Sequence, residues 1–241
     1  MLIEIGHVDA LFRYPVKSMR GEPLDDTNLG WHGIDGDRRL ALRRMNDRGG
    51  FPWLTASKLP DLILFTPQRR ADDPPDALPQ LIRTPDGEEV PVFGADLAAE
   101  VERRYGAPVE MIHIKHGTFD DAAISVIALD TVHEISRLAG LSPDVRRFRP
   151  NIVVRSLRPV PFQEDEWLGS VLSFGEGDDA PTIAVTAHDI RCSMINLDPD
   201  TAKPAPQVLK AVVGANQNNA GIYGAVTRTG RLAVGQSIFL R

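Results

Sequence analysis

Apolar residues in this chain come in short alternating or continuous runs cut off by Gly and Pro, and only three stretches carry helical spacing. Alternation puts successive side chains on opposite faces of a strand, whereas a helix needs apolar residues three and four apart. With 20 Gly and 19 Pro as punctuation, the chain is expected to be mainly β with some helices, an α+β fold. Strands are expected at residues 2–11, 39–45, 61–66 and 109–114, with Leu40 and Leu42 alternating in the second. Residues 80–84 and 89–93 flank Pro85, Asp86 and Gly87. Pro presets one turn dihedral and Gly accepts positive φ, so this pair reads as a hairpin. Further strands are expected at 124–129, 151–155, 171–174, 182–187, 222–227 and 232–240.

The first helix is expected at residues 96–105, where Leu97, Val101 and Tyr105 recur every four and Asp96 can accept backbone N–H bonds. A second begins near Asp130, with Thr131 and Glu134 at capping-box spacing and Val132, Ile135 and Leu138 inward, and ends at Gly140. A third spans 206–213. The polar, Pro-rich residues 68–80 read as a surface loop. A change of composition near residues 116–121 divides the chain into domains at 1–115 and 116–241.

The formal charge of −6 argues against a surface built to neutralise many phosphates, so nucleic acid is not an expected partner. One Cys rules out an intramolecular disulfide, and the opening residues MLIEIGHVDA carry neither a basic leader nor a signal-length apolar run. A cytoplasmic setting is the expectation. No stretch has the roughly 20 apolar residues of a membrane-spanning helix. Walker loops, dinucleotide fingerprints, nucleophile elbows and H-E-x-x-H pairs are all absent from the sequence.

Chemistry is left to a few clusters. Cys192, read alone, is either a small buried hydrophobe or a thiolate that the adjacent Arg191 favours, and a thiolate suits soft, thiophilic metals. Zinc is the rival ligand, since His188 and Cys192 are four apart and His113 and His116 three apart, but structural zinc usually takes several Cys. In RYPVKSMRGE, Pro15 ends a strand and puts Lys17, Ser18 and Arg20 on a turn, as an anion site or as solvated charges. Of Arg38 and Arg39, one should point inward, where it needs an anionic partner.

With these residues in hand, the chain resembles the MOSC proteins, and within them the two-domain branch that includes the mitochondrial amidoxime-reducing component and its bacterial relatives. RYPVKSMRGE and GDRRLAL look like the N-terminal MOSC-associated domain. FDDAAISVIA, RRFRPNIVV, PFQEDEW, IRCSMINLDPDT and GRLAVGQSIFL follow in the order of the MOSC domain itself. The resemblance implies a MOSC β-barrel domain plus a smaller N-terminal domain, with a molybdenum cofactor (Mo-molybdopterin) bound at their junction. Cys192 matches the molybdenum-ligating, catalytic cysteine and Arg191 the residue before it. Lys17, Ser18 and Arg38 match residues that hold phosphate and pterin; Asp121, Arg149, Asn151 and Tyr223 match further cofactor contacts. Glu164, Asp165 and Trp167 match the family's EDxW signature and are read as structural. Ala202 stands where the family has Gly after DPDT, so the turn there is expected to differ.

The implied reaction is reduction of N-hydroxylated compounds such as amidoximes, hydroxylamines and N-hydroxylated base analogues. The alternative is a cofactor carrier, or a sulfur-transfer module holding a persulfide on Cys192. The sequence has no Cys cluster for an iron–sulfur centre, no haem-attachment motif and no flavin fingerprint. A reductase of this kind would therefore draw electrons from a separate protein, a ferredoxin or a cytochrome b5-like protein with its reductase.

Overall fold

A computed structural model describes residues 2–70, 72–74 and 77–241. Residues 71, 75 and 76 of the expected 68–80 loop lie outside the described residues. The first half contributes β1 (Ile3–Arg13), β2 (Glu22–Leu24), β3 (Asp26–Gly30), β4 (Gly33–Ile34), β5 (Leu40–Arg44), β6 (Thr66–Gln68), β7 (Leu81–Arg83), β8 (Glu89–Pro91), α1 (Ala95–Tyr105) and β9 (Val109–His113). The second contributes β10 (Ile124–Ala128), α2 (Leu129–Ala139), β11 (Ile152–Ser156), β12 (Val171–Phe174), β13 (Thr182–Ile190), α3 (Gln207–Asn216), β14 (Asn219–Arg228), β15 (Gly230–Ala233) and β16 (Ser237–Leu240).

Seven strands close a barrel in the order β11-β10-β14-β13-β12-β16-β1, with β1 pairing back to β11 and β2 added on β1. Closure leaves no free edge among the barrel strands. The first strand of the chain thus completes a barrel whose other six strands come from the second half. Among the described barrel strands only β10 and β11 pair in parallel, and α2 is the crossover that joins them. Neither alternates strictly, because apolar residues are covered on both faces. Ile124, Val126, Ile152 and Val154 point into the barrel with Trp167, while Ile127 and Val153 point out against Val132, Ile135, Val208 and Val212 of α2 and α3. A separate core in the first half gathers Val16, Leu40, Leu42, Leu62, Phe65 and Val101 around the β5–β9 pair. No helix of the described residues is long and apolar enough to cross a membrane.

Several local expectations fail for definable reasons. Residues 61–66 form a 3-10 turn over Pro60–Leu64 before β6. Pro60 at the start presets helical φ, and the adjacent Leu62 and Ile63 are both buried, which alternation does not allow. The expected strand over 232–240 breaks into β15 and β16 at Gly235, whose φ of 83° turns the chain from the small β15-β3-β4 sheet back into the barrel. Leu138 is 45% exposed: two successive steps of three residues rotate it off the face that Val132 and Ile135 bury. Asp96 lies inside the first turn of α1 and caps nothing; the residue flanking the helix is Gly94. Ala202, buried at φ 56°, keeps the left-handed turn that Gly would adopt freely, so the departure from the family pattern is absorbed as local strain.

The expected capping box is also replaced by a tertiary contact. Thr131 Oγ1 accepts from Phe162 N at 2.7 Å and donates to Glu164 Oε2 at 2.7 Å, while Ala128 N donates to Glu164 Oε1 at 3.3 Å. Glu164 and Trp167 are buried, and together they tie the α2 start to the barrel. Burial pushes the Glu164 carboxyl up to about 7, against the pull of its hydrogen-bond donors. The folded state therefore binds this proton more tightly than the unfolded chain does. Stability is fully present below about pH 4.5 and is lost as pH rises through about 7, by on the order of 3 kcal/mol. Urea denaturation from pH 4.5 to 8.5 checks this: Glu164→Gln should lack that step, and identical pH profiles for the two proteins would contradict it.

Candidate functional site

After β1 the chain turns at Pro15 and docks on β5, with Lys17 N donating to Leu40 O at 2.8 Å. This turn, the 118–125 segment, residues 147–149, the exit of β13 and Tyr223 of β14 together wall a cavity of about 330 Å³. Eight of the expected site residues line it: Lys17, Ser18, Arg38, Asp121, Arg149, Arg191, Cys192 and Tyr223. Asn151 stands one layer behind. Fully buried, it donates from Nδ2 to Phe12 O at 3.3 Å, and its Oδ1 accepts from Ser125 N at 3.1 Å and Arg38 Nη1 at 3.3 Å. Arg20 turns away to Asp200 and Pro199 O.

Three wall residues hold left-handed backbone conformations: Ser18 at φ 66°, Arg38 at 49° and Arg149 at 51°. Each costs an L-residue roughly 1–2 kcal/mol, and such strain concentrates where side chains must be aimed. Arg38 is fixed by its backbone between Tyr14 O (2.7 Å) and Thr118 N (3.0 Å). The inward arginine of the 38–39 pair is thus Arg38, whereas Arg39 donates outward to Lys115 O. Its anionic partner is the neighbouring Asp37, which accepts from Arg38 Nη1 at 2.5 Å and from Tyr14 N at 2.7 Å.

The other cations are mostly compensated. Lys17 Nζ meets Asp120 Oδ1 at 2.8 Å; burial lowers the Lys17 pKa and Asp120 opposes that shift. Arg191 Nη2 meets Asp189 Oδ2 at 2.8 Å, Nε donates to Ala220 O at 2.6 Å and Nη1 to Phe148 O at 2.8 Å. Asp189 also accepts from Ser125 Oγ at 2.8 Å and from Tyr223, and burial raises its carboxyl and the Tyr223 phenol alike. Arg149 is the exception. Nη1 donates to Met19 O at 2.7 Å and the guanidinium stacks 4.2 Å from the Tyr14 ring centroid, yet Nη2 is shielded from solvent and without a partner among the described residues. No carboxylate of the described residues pairs with it, and burial lowers its pKa to about 10. A shielded N–H without an acceptor costs about 1–3 kcal/mol, more on a charged group, which an anionic ligand would recover.

Cys192 follows β13 in an extended conformation just before the Ser193–Asn196 turn, and its thiol is exposed. Arg191 beside it is clamped on both backbone groups by Asn218, through Arg191 N to Asn218 O and Asn218 Nδ2 to Arg191 O, both 2.9 Å. A soft metal presented at this rim would find the sulfur free, and a phosphate deeper in would meet Arg149. His188, the other half of the zinc alternative, is engaged by Asp165 at 3.2 Å, while His116 contacts His32 at 2.8 Å.

Sequence reasoning missed Asp37, Asp120, Ser125 and Asp189. The signal for Asp37 was present in the requirement that an inward arginine have an anion nearby; Asp120 and Asp121 are not separable without knowing which way the 118–121 turn faces. Gly221 was missed as well. At φ 89°, it passes beneath Arg191, and a Cβ there would lie 2.7 Å from Val126 O and 3.0 Å from Arg191 Nη2. Gly221→Ala should lower folding stability by about 2–4 kcal/mol, a sum of left-handed strain and close contact, and an unchanged denaturation midpoint would refute it.

The MOSC domain model matches residues 113–239 and the MOSC N-terminal beta barrel domain model matches residues 5–122. No curated protein matches the sequence. Among solved structures, the YUAD protein from Bacillus subtilis aligns at a TM-score of 0.53 and 15% identity, over 100% of this chain and 97% of that one, a likeness of fold. A hypothetical protein of known structure aligns at 0.46 and 12% identity, over 98% and 68%, too distant to define the fold.

Proposed function

This chain belongs to the MOSC family, its MOSC domain preceded by a MOSC N-terminal beta barrel domain, and on that premise we propose that it is a molybdenum-cofactor-dependent oxidoreductase. In this reading it reduces N-hydroxylated compounds with electrons from a separate redox protein. MOSC domains are associated with molybdenum-cofactor binding and with sulfurase- and reductase-like proteins. What supports the cofactor reading here is one observation: a cation-lined cavity holds an arginine, Arg149, with a shielded and unpartnered nitrogen, and ends at an exposed thiol, Cys192. A phosphorylated pterin with a thiophilic metal has both complements.

Division at 1–115 and 116–241 assigns Lys17, Ser18 and Arg38 to one domain and the other contacts to the second, so the cofactor would sit at their junction. Arg149, Lys17 and Arg38 would hold its phosphate and pterin, with Asn151 orienting Arg38 from behind. Cys192 Sγ would be the protein ligand of the metal. Bound there, the group would supply a centre that cycles through two electrons. Cleaving the N–O bond of a hydroxylamine or amidoxime consumes two electrons and two protons and releases water. Tyr223 keeps its phenolic proton at neutral pH and Asp189 holds its hydroxyl in the wall.

The test is elemental analysis with pterin detection on protein made in cofactor-competent cells, followed by turnover of an amidoxime. Dithionite-reduced viologen should support turnover, whereas NADH or NADPH alone should not, because the sequence offers no nucleotide-binding fingerprint. Stoichiometric molybdenum without turnover of any N-hydroxylated compound would favour the carrier or persulfide alternative. Absence of molybdenum would overturn both.

A further inference from the structure

A second cavity, also of about 330 Å³, shares Arg147, Arg149 and Met194 with the first as a common wall. It lies where Phe12, Tyr14, Pro23 and Ile63 from the first half face Leu197 and Pro199 from the second, a domain junction of the kind that favours small-ligand sites. Its chemistry is lopsided. The body of the wall is apolar, through Phe12, Pro23, Ile63 and Leu197, while the charged groups are four guanidiniums, of Arg20, Arg146, Arg147 and Arg149. Among the described residues the carboxylates that pair with them are three: Asp200 with Arg20 (3.2 Å) and Arg146 (2.6 Å), Asp144 with Arg146 (2.7 Å), and Asp198 with Arg147 (2.8 Å). One positive charge is left over, on Arg149.

The unpartnered polar atoms point the same way. Arg20 Nε, Arg147 Nε, Arg149 Nη2 and the Tyr14 hydroxyl are shielded and have no hydrogen-bond partner among the described residues. Tyr14 is 2% exposed, and its ring is pressed against Gly21, where a Cβ would lie 2.3 Å from Tyr14 Cε1. All four groups can donate, and three can do nothing else. What the cavity lacks is an acceptor with a single negative charge.

We infer that this second cavity binds a small organic monocarboxylate with an aromatic or branched apolar body, across the wall that it shares with the cofactor cavity. A dianion is disfavoured, because only one wall charge is uncompensated and the remaining surface is apolar. A neutral ligand of the same shape would leave the arginine donors without a charged acceptor. Arg149 is common to both cavities, so a bound cofactor would compete for its charge, and the inference concerns the cofactor-free protein.

Calorimetric titration of the cofactor-free protein with phenylacetate tests it, with phenylacetamide as the neutral isostere. Phenylacetate should saturate one site and phenylacetamide should bind roughly tenfold more weakly or not at all. Pro23→Trp, an exposed position on the edge strand β2, should block the mouth and abolish binding. Tyr14→Phe, which removes only the hydroxyl, should weaken it several-fold, about the value of one hydrogen bond. Thermal unfolding of each variant keeps misfolding apart from loss of the site. Equal binding of the amide or undiminished binding in folded Pro23→Trp would overturn the proposal.

Discussion

Replacing Cys192 by Ser is expected to abolish reductase turnover while leaving the fold intact. The thiol is exposed at the rim and makes no side-chain hydrogen bond among the described residues, so the substitution changes one atom and disturbs no packing. What it removes is softness. A neutral hydroxyl is a poor ligand for a thiophilic metal, and loss of a direct ligand should exceed the 10–100-fold effect typical of groups that merely orient ligands, so a fall of more than ~100-fold in kcat is expected. Pterin and phosphate contacts remain in the variant, so part of the cofactor should stay bound. Measuring kcat per molybdenum, not per protein, separates the two effects. A variant that turned over at the parental rate would remove Cys192 from the metal.

The architecture was legible because strand signals survive whatever packs on them. In β10 and β11 the runs ISVIA and IVVRS read as buried strands, and the structure shows why they do not alternate: one face fills the barrel and the other seats α2 and α3. Failures fell where tertiary contact overrides a local rule. Thr131 and Glu134 have capping spacing, but Thr131 is used by Glu164, thirty-odd positions away, and Glu134 by Arg137 at 2.8 Å. Closure of the barrel by β1 was invisible for the same reason. Nothing in residues 3–13 says that their partners are β11 and β16, more than a hundred residues on.

At the candidate site, motif order brought out the residues that face the cavity, and charge reasoning demanded a partner for an inward arginine without naming it. Compensation is what the sequence hides. Asp37, Asp120 and Asp189 each neutralise one cation, and which Asp serves which cation depends on turns set by left-handed residues such as Ser18 and Arg38. Those conformations carry no signature in a non-glycine residue, since the surrounding structure imposes them.

This uneven compensation decides which cation best reports cofactor retention. Arg38→Ala would strand the fully buried Asp37 without its ion pair, at a cost of about 3–5 kcal/mol, so lost molybdenum in that variant would be ambiguous. Lys17→Ala is gentler, because Asp120 is exposed and can be solvated. Arg149→Ala is the cleanest. It gives up one hydrogen bond to Met19 O and the stack on Tyr14, but it also removes a charge that no carboxylate of the described residues pairs with and a nitrogen that no acceptor among them reaches. These contributions oppose each other, so the cofactor-free variant should unfold within about 1 kcal/mol of the parent. Cofactor retention should fall roughly 10–100-fold, the value of one or two hydrogen bonds to a charged group. The measurement is molybdenum and pterin content after dialysis, beside denaturation of the cofactor-free proteins. Unchanged occupancy with a fall in stability would make Arg149 a structural cation and leave the cavity without its anion.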